Sequence, residues 1–333
     1  MEAGVELKFL KNRLRFNANY FDRTSKDQIL SVTLPSTTGF SSALINAGEV
    51  SSSGFEFTLG GTPVKTNDFT WDLNANFATN RNKIVELYPG VDNFQFASFA
   101  YSGTQPIRVE RRVGKAWGEL VTAGIKRDAN GVAAIDDDGF PIIESGHNLG
   151  SFVPDLTGGL TSTFNYKSFT VGFSMDFQVG GKLFSVTEGN LNGSGLSPKT
   201  AGLNDKGNPK RDPVSAGGGI LIPGIRESDG KPNTTYIDVR DYYEGHIPYA
   251  WEEATYDATY LKLREVSLGY NLPVSLVSKF KAQRATISLI ARNPWLMYSK
   301  IKGIDPSESA GSWTEGSQLP GTRTIGLNLK ITF

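Results

Sequence analysis

One short stretch holds the side chains most suited to gripping a cation. DANGVAAIDDDGFPII, residues 128–143, carries Asp128, Asn130, Gly131, Asp136, Asp137, Asp138 and Gly139. Acidic and amide oxygens bent around a glycine are the chemistry of calcium, and Asp128, Asn130, Asp136 and Asp138 are the candidate ligands. The spacing fails the test of an EF-hand loop, which needs ligands at positions 1, 3 and 5, Gly at 6 and Glu at 12. Asn130-Gly131 and Asp138-Gly139 are instead type I′ turn signals, so a small β-hairpin module is the favoured reading. His147 and His246 have no ligand-type residue three or four positions on, as a helical metal site would need. SAGGGILIPG, residues 215–224, lacks the Lys-Ser/Thr of a phosphate loop. With no nucleophile elbow and no catalytic carboxylate pair, the chain is read as a non-enzyme without cofactors. The remaining candidates are rings: Tyr236, Tyr242, Tyr243, Tyr249 and Trp251. They could stack on a sugar or grip a peptide or partner protein; equally, they could pack their own loop.

Elements must position these groups, and composition bounds which. Lys+Arg and Asp+Glu are both 34 over 333 residues. With no net charge and no basic cluster, there is no footprint for nucleic acid. The lack of Cys excludes disulfides and thiolate metal sites. Abundant Gly, Phe, Tyr, Thr, Ser and Asn favour strands and turns. No apolar run is long enough for a membrane helix, and MEAGVELKFLKNRLRFN has no signal-peptide core.

Period-2 alternation is pervasive. Phe169, Val171, Phe173, Met175, Phe177 and Val179 alternate with Thr170, Gly172, Ser174, Asp176 and Gln178. Phe69, Trp71, Leu73, Ala75 and Phe77 do the same, as do Leu14, Phe16, Ala18 and Tyr20. The final TIGLNLKITF puts Ile325, Leu327, Leu329, Ile331 and Phe333 on one face. Near residue 264 the phase changes: Leu261 and Leu263 are followed by Val266, Leu268 and Tyr270. An extra residue, a bulge at Arg264–Glu265, does this; so does a facing that stops mattering above a membrane.

About nine strands result, near 4–10, 13–24, 49–60, 69–82, 156–166, 168–181, 258–272, 284–297 and 321–333. Tight turns alternate with long connections at about 25–48, 83–155, 182–257 and 299–320. Such loops strain a compact soluble domain but are ordinary outside a transmembrane barrel. The predicted class is therefore all-β, a transmembrane antiparallel β-barrel with long extracellular loops. Phe69, Trp71, Phe164, Tyr166, Phe169, Tyr270 and Phe333 fall at the tight-turn end; Tyr20, Phe21, Trp295 and Tyr298 fall at the other. Two such girdles flank an apolar band in barrels. An odd strand count in a class that favours even ones suggests that these are the C-terminal strands of a larger barrel.

Several segments resemble one family. NAGEVSSSGFEFTLGGTPVKTNDFTWDLNANFATNRNKIVEL (46–87), RRVGKAWGEL (111–120), ATYLKLREVSLGYNLP (258–273) and ISLIARNPWLMYSKIKGIDPSES (287–309) are similar to the SusC/RagA-type TonB-linked outer-membrane proteins of Bacteroidetes. Ala291 and Pro294 stand where Gly and Leu are common in that pattern. The resemblance implies a barrel of about 22 strands, with these as its last and the plug and signal peptide upstream of this chain. It implies the bacterial outer membrane, import of a glycan or peptide substrate, a SusD-like lipoprotein as lid, and energy from TonB–ExbB–ExbD through the N-terminal region. A soluble or surface-exposed carbohydrate-binding β protein and a passive porin or adhesion barrel are the rival readings. In the barrel, Leu329 is expected to face outer-membrane lipid and Asn328 the lumen. Leu329, Ile331 and Phe333 resemble the terminal signal read by the barrel-assembly machinery.

Overall fold

The computed structural model describes all residues except 34–36, 38, 41, 47, 89, 101–103, 248–249 and 310–312, and only the backbone at 30–33, 42–43 and 45. Nine long strands each pair antiparallel with the next in sequence. They are β1 (Glu2–Phe9), β2 (Leu14–Ser25), β3 (Glu49–Lys65), β4 (Phe69–Ala78), β5 (Leu156–Tyr166), β6 (Phe169–Val179), β7 (Tyr260–Asn271), β8 (Arg284–Ser299) and β9 (Thr324–Thr332). A further segment, Arg81–Glu86, folds back on the far half of β3. No helix among the described residues is long and apolar enough to span a membrane, so any crossing is made by strands.

The pairing register turns the alternation into two continuous faces, because directly opposed residues share a side. One row joins Phe69, Tyr166, Phe169, Tyr270, Ile287 and Leu329. Two rows on, Leu73, Ser162, Phe173, Val266, Ala291 and Ile325 align. Ser162 is no breach of this face, for its hydroxyl accepts from the Trp71 indole at 2.9 Å and lies buried beneath it. The opposite face carries Asn74, Thr161, Ser174, Glu265, Arg292 and Thr324 at the same level.

Burial is inverted relative to a water-soluble sheet. Ile325 and Leu327 are 78% and 81% exposed on the apolar face. The buried side chains lie mostly in the connections. One core joins Ile125, Ala133 and Ile135 to Ile220, Ile237, Val239, Tyr242 and Ile247. Another joins Ile107, Val109 and Leu120 to Phe184, Val186, Trp251 and Ala254, with Trp313 against it. An uncovered apolar sheet of this extent costs too much in water and is what lipid covers.

The long connections therefore fold together into an outer layer. A four-stranded sheet forms within 83–155, ordered Ile143–Ser151, Glu119–Ile125, Ile107–Arg112, Asn93–Phe99. Lys182–Ser185 pairs antiparallel with Thr255–Asp257 and parallel with Thr314–Glu315, tying the last two long loops to each other. The RRVGKAWGEL segment joins this layer to the wall: Gly114 N–H donates to Ile84 O at 2.8 Å and Trp117 N–H to Asn82 Oδ1 at 2.6 Å. Its Arg111 guanidinium is clasped between the Phe96 and Trp117 rings, 4.5 and 3.7 Å from their centroids.

Three details differ from the alternation alone. β3 runs past residue 60 to Lys65, through a register break between Gly61 and Val64. Pro63, unable to donate to a ladder, sits in that bulge. Phe21 does not join the outer girdle, because it lies on the polar face against Gly54. At Arg264 the bulge reading holds: Leu263 and Glu265 pair on both neighbouring strands and Arg264 is left over.

Candidate functional site

The Arg264 bulge decides the chemistry of the inner wall. An extra residue lets two successive side chains serve one face. Arg264 donates to both Asp176 carboxylate oxygens, at 2.6 and 2.9 Å, and to Glu308 Oε1 at 3.0 Å. One register step away, Lys262, only 2% exposed, reaches Asp305 Oδ2 at 2.7 Å, Glu308 Oε1 at 2.5 Å and Ser307 Oγ at 3.2 Å. Asp305 caps the short Pro306–Glu308 turn by accepting from Ser307 N–H at 3.0 Å. Burial pushes the Asp305 carboxyl up, but hydrogen bonds from Lys262 and Ser307 outweigh it and hold it below its ordinary value. The last long loop is thus strapped across the polar face by buried charge.

Farther along the same loop, Glu315 is buried and has no paired cation among the described residues. Its oxygens accept from Ser185 Oγ at 2.7 Å, Thr187 N–H at 3.1 Å, Ser317 N–H at 2.7 Å and the Thr187 hydroxyl. Donors of this kind replace lost hydration without a counter-ion.

The ring candidates separate. Trp251 lies in the core against Phe99 and Phe184, its indole N–H donating to Gln105 O at 2.6 Å. Tyr242 is also core, edge-on to Tyr243 and stacked with His246. Packing occupies most of both rings, although Trp251 also borders a cavity of about 340 Å³ in the outer layer. Tyr236 is tied to Asp205 at 2.6 Å, a bond that raises its pKa to about 12, and Lys206 caps its ring at 3.5 Å. Tyr249 lies outside the described residues. Tyr243 alone combines partial burial with a place on a cavity wall.

The acidic segment serves its own turns. Asp128 Oδ1 accepts from Asn130 and Val132 N–H, and Asp136 Oδ1 from Asp138 and Phe140 N–H, all at 2.8–3.0 Å. The backbone has positive φ at Gly131 and Gly139 but not at Asn130 or Asp138. Type I′ needs it at both central residues, so these are type I turns closed by a left-handed glycine. Asp136 also pairs with Phe140, as Asp128 does with Val132, giving two successive tight hairpin turns. Among the described residues no three His, Cys, Asp or Glu side chains converge to hold a metal. The proposed calcium ligands are not brought together, because two of them are consumed as turn caps.

His147, isolated in sequence, is not isolated in space. Its Nε2 meets Glu144 Oε1 at 2.9 Å and its Nδ1 lies 3.4 Å from Glu252 Oε2, while Arg127 holds the other Glu252 oxygen at 2.9 Å. Its partners come from a strand neighbour and from a residue over a hundred positions on, beyond any local spacing rule.

Leu329, Ile331 and Phe333 all face away from the polar side and are exposed. Leu329 stands in the aromatic row with Tyr166, Phe169 and Tyr270, at the tight-turn rim.

A family model described as TonB dependent receptor-like, beta-barrel matches residues 1–202. The chain belongs to that family. TonB-dependent receptor P26 of Formosa agariphila is 27% identical over 363 residues, covering 100% of this chain and 34% of the relative. TonB-dependent receptor SusC of Bacteroides thetaiotaomicron is 26% identical, covering 99% of this chain and 31% of the relative. The chain thus spans about a third of the curated relatives it matches. In fold it is similar to the RagAB peptide importer in the closed-closed state, with a TM-score of 0.69 at 20% identity, covering 100% of this chain and 35% of that one. The chain is thus a portion of a TonB-dependent receptor-like barrel, similar to SusC in sequence and to RagAB in fold, and its exposed apolar face is an outer-membrane face.

Proposed function

We propose that the whole protein is an active importer of nutrients across the bacterial outer membrane, driven through TonB, with this chain supplying barrel wall and outer loops. The observation that carries the reading is the inverted sheet: apolar rows outside, hydrogen-bonding and charged rows inside, under a folded outer layer. A passive pore needs an open lumen. Here the 299–320 loop is strapped inward on Lys262 and Arg264, which favours a gated path. Energy would come from TonB–ExbB–ExbD acting on parts of the protein outside this chain, and a SusD-like lipoprotein would cover the loop layer. The imported substrate is a glycan or a peptide. RagAB is a peptide importer, and its likeness to this chain is one of fold.

The test is uptake in cells carrying the natural gene. Outer-membrane fractionation together with uptake abolished by a protonophore or by loss of TonB is the expected result. Uptake that survives loss of TonB returns the protein to the passive porins, and recovery in the aqueous fraction returns it to the soluble binders.

A further inference from the structure

The connection between β7 and β8 is unlike the tight turns at residues 66–68 and 167–168, which are polar throughout. Residues 272–283 read LPVSLVSKFKAQ. They fold as one helical turn, α1 (Val274–Val277), continued by a 3₁₀ turn at Ser278–Phe280. Pro273 starts it, its carbonyl accepting from Leu276 N–H at 3.0 Å and Val277 N–H at 3.2 Å. Lys281 ends it in a left-handed conformation, its N–H donating to Ser278 O at 3.0 Å.

Val277 sets its place. This side chain is buried in a small cluster with Ala282 and Ala285, against which Leu272 packs. Ala285 belongs to the lipid face, since it pairs with Ile331, and Leu272 lies opposite it, donating its N–H to Ala285 O at 2.9 Å. Elsewhere that face is bare: Ile287 and Ile331 are 43% and 45% exposed, whereas Ala285 is 6% exposed. The connection therefore folds up against the outside of the wall and not across the lumen. Val274, Val277 and Phe280 recur at every third residue, along one side of turns of this pitch. The wall takes the middle one. The outer two overhang it, 72% and 73% exposed, and Leu276 beside them is exposed as well. Lys279 and Lys281 flank Phe280, exposed and in no ion pair among the described residues.

Apolar side chains set between cations suit the edge of a leaflet. Acyl chains cover the one, and lysines reach anionic phosphates while laying their own methylenes on apolar surface. The patch is continuous with the outer-membrane face, on which Ile331 and Phe333 stand exposed at the same rim. Lipid therefore already borders it. We propose that residues 273–281 form an interfacial anchor: Val274, Leu276 and Phe280 enter the leaflet on the tight-turn side, and Lys279 and Lys281 meet its phosphates. Short turns are periplasmic in such barrels, so the partner is phospholipid of the leaflet facing the periplasm. The anchor seats β7 and β8, and the far half of β7 carries the charged clasp on the last long loop.

The test uses the complete natural protein in vesicles of phosphatidylethanolamine and phosphatidylglycerol. A nitroxide is attached at Phe280→Cys, and its collisions with dissolved oxygen and with a water-soluble nickel chelate give its depth. This chain has no Cys, and the unsubstituted protein, treated in the same way, gives the background. Asn67→Cys, in a polar turn, marks water; Leu327→Cys, exposed on the lipid face, marks hydrocarbon. The label at 280 is expected about 5–10 Å inside the boundary between headgroups and acyl chains. Lys279→Gln together with Lys281→Gln is expected to raise its access to nickel. A label at 280 as open to nickel as the one at 67 overturns the proposal. So does a label sheltered in native membranes but not in vesicles, which would assign the patch to a periplasmic protein. Unchanged nickel access in the double Gln variant overturns the role of the two lysines. Leu276→Cys gives the same reading should Phe280→Cys lower the yield of folded barrel.

Discussion

Arg264 holds Asp176 by a two-toothed clasp, Nε to Oδ1 at 2.6 Å and an Nη to Oδ2 at 2.9 Å, and spends its remaining Nη on Glu308. One side chain thereby joins two wall strands to the last long loop. Only a planar guanidinium offers that fork. Arg264→Lys is expected to keep the charge but lose one of the two connections. With both partners about a third exposed, the loss should be about 1–2 kcal/mol. Hydrogen exchange at residues 305–308 should accelerate by about five- to thirtyfold. Unchanged protection there would show that Lys262 alone holds the loop.

Glu315 makes a second, independent anchor. Replacing it by Gln turns an acceptor towards Ser185, Thr187 and Ser317 into a donor, leaving buried donors opposed. A loss of about 1–3 kcal/mol is expected, read as earlier thermal loosening of the outer layer. Trp313, packed against the Phe184 core, makes indole fluorescence the natural probe. An equally stable Gln variant would show that these hydrogen bonds do not anchor the loop.

The wall was legible in the sequence because a sheet facing two solvents keeps strict period-2 alternation. Even the Arg264 bulge announced itself as a change of phase between Leu263 and Val266. The outer layer was not legible. Ile107, Val109 and Leu120 lie on short strands that bury both faces, where alternation disappears. Their partners, Phe184 and Trp251, come from another loop altogether. The ring cluster was visible, but whether a ring packs or binds depends on such distant partners, and Trp251 and Tyr242 were taken by the core.

The bulge in β3 supplies a backbone test. Gly61 has φ +145°, and a Cβ there would collide with the carbonyl oxygen of Arg13, just before β2. Gly326 in β9 has nothing within 4 Å of its Cβ position. Gly61→Ala should therefore cost about 1–3 kcal/mol and lower the yield of folded barrel, whereas Gly326→Ala should be neutral or slightly stabilising. Heat-modifiability on a gel separates folded from unfolded barrel. Equal folded fractions for the two variants would refute the close approach of β2 and β3.

Depth in the membrane can be read along a single strand. Leu329 shares its row with Tyr166, Phe169 and Tyr270, the aromatic rim, while Ile325 lies two rows farther from that rim, level with Phe173 and Val266. Both face lipid; Asn328, paired with Ser288, faces inward. A lipid-facing Arg costs about 2–4 kcal/mol at the bilayer midplane and about 0–1 near its edges. Ile325→Arg should accordingly destabilise by about 2–4 kcal/mol, Leu329→Arg by no more than about 1, and Asn328→Arg hardly at all. Denaturant titration of the complete protein in lipid vesicles measures all three. A penalty at Asn328 equal to that at Ile325 would reverse the facing of β9; an equal penalty at Leu329 and Ile325 would move the aromatic row away from the rim.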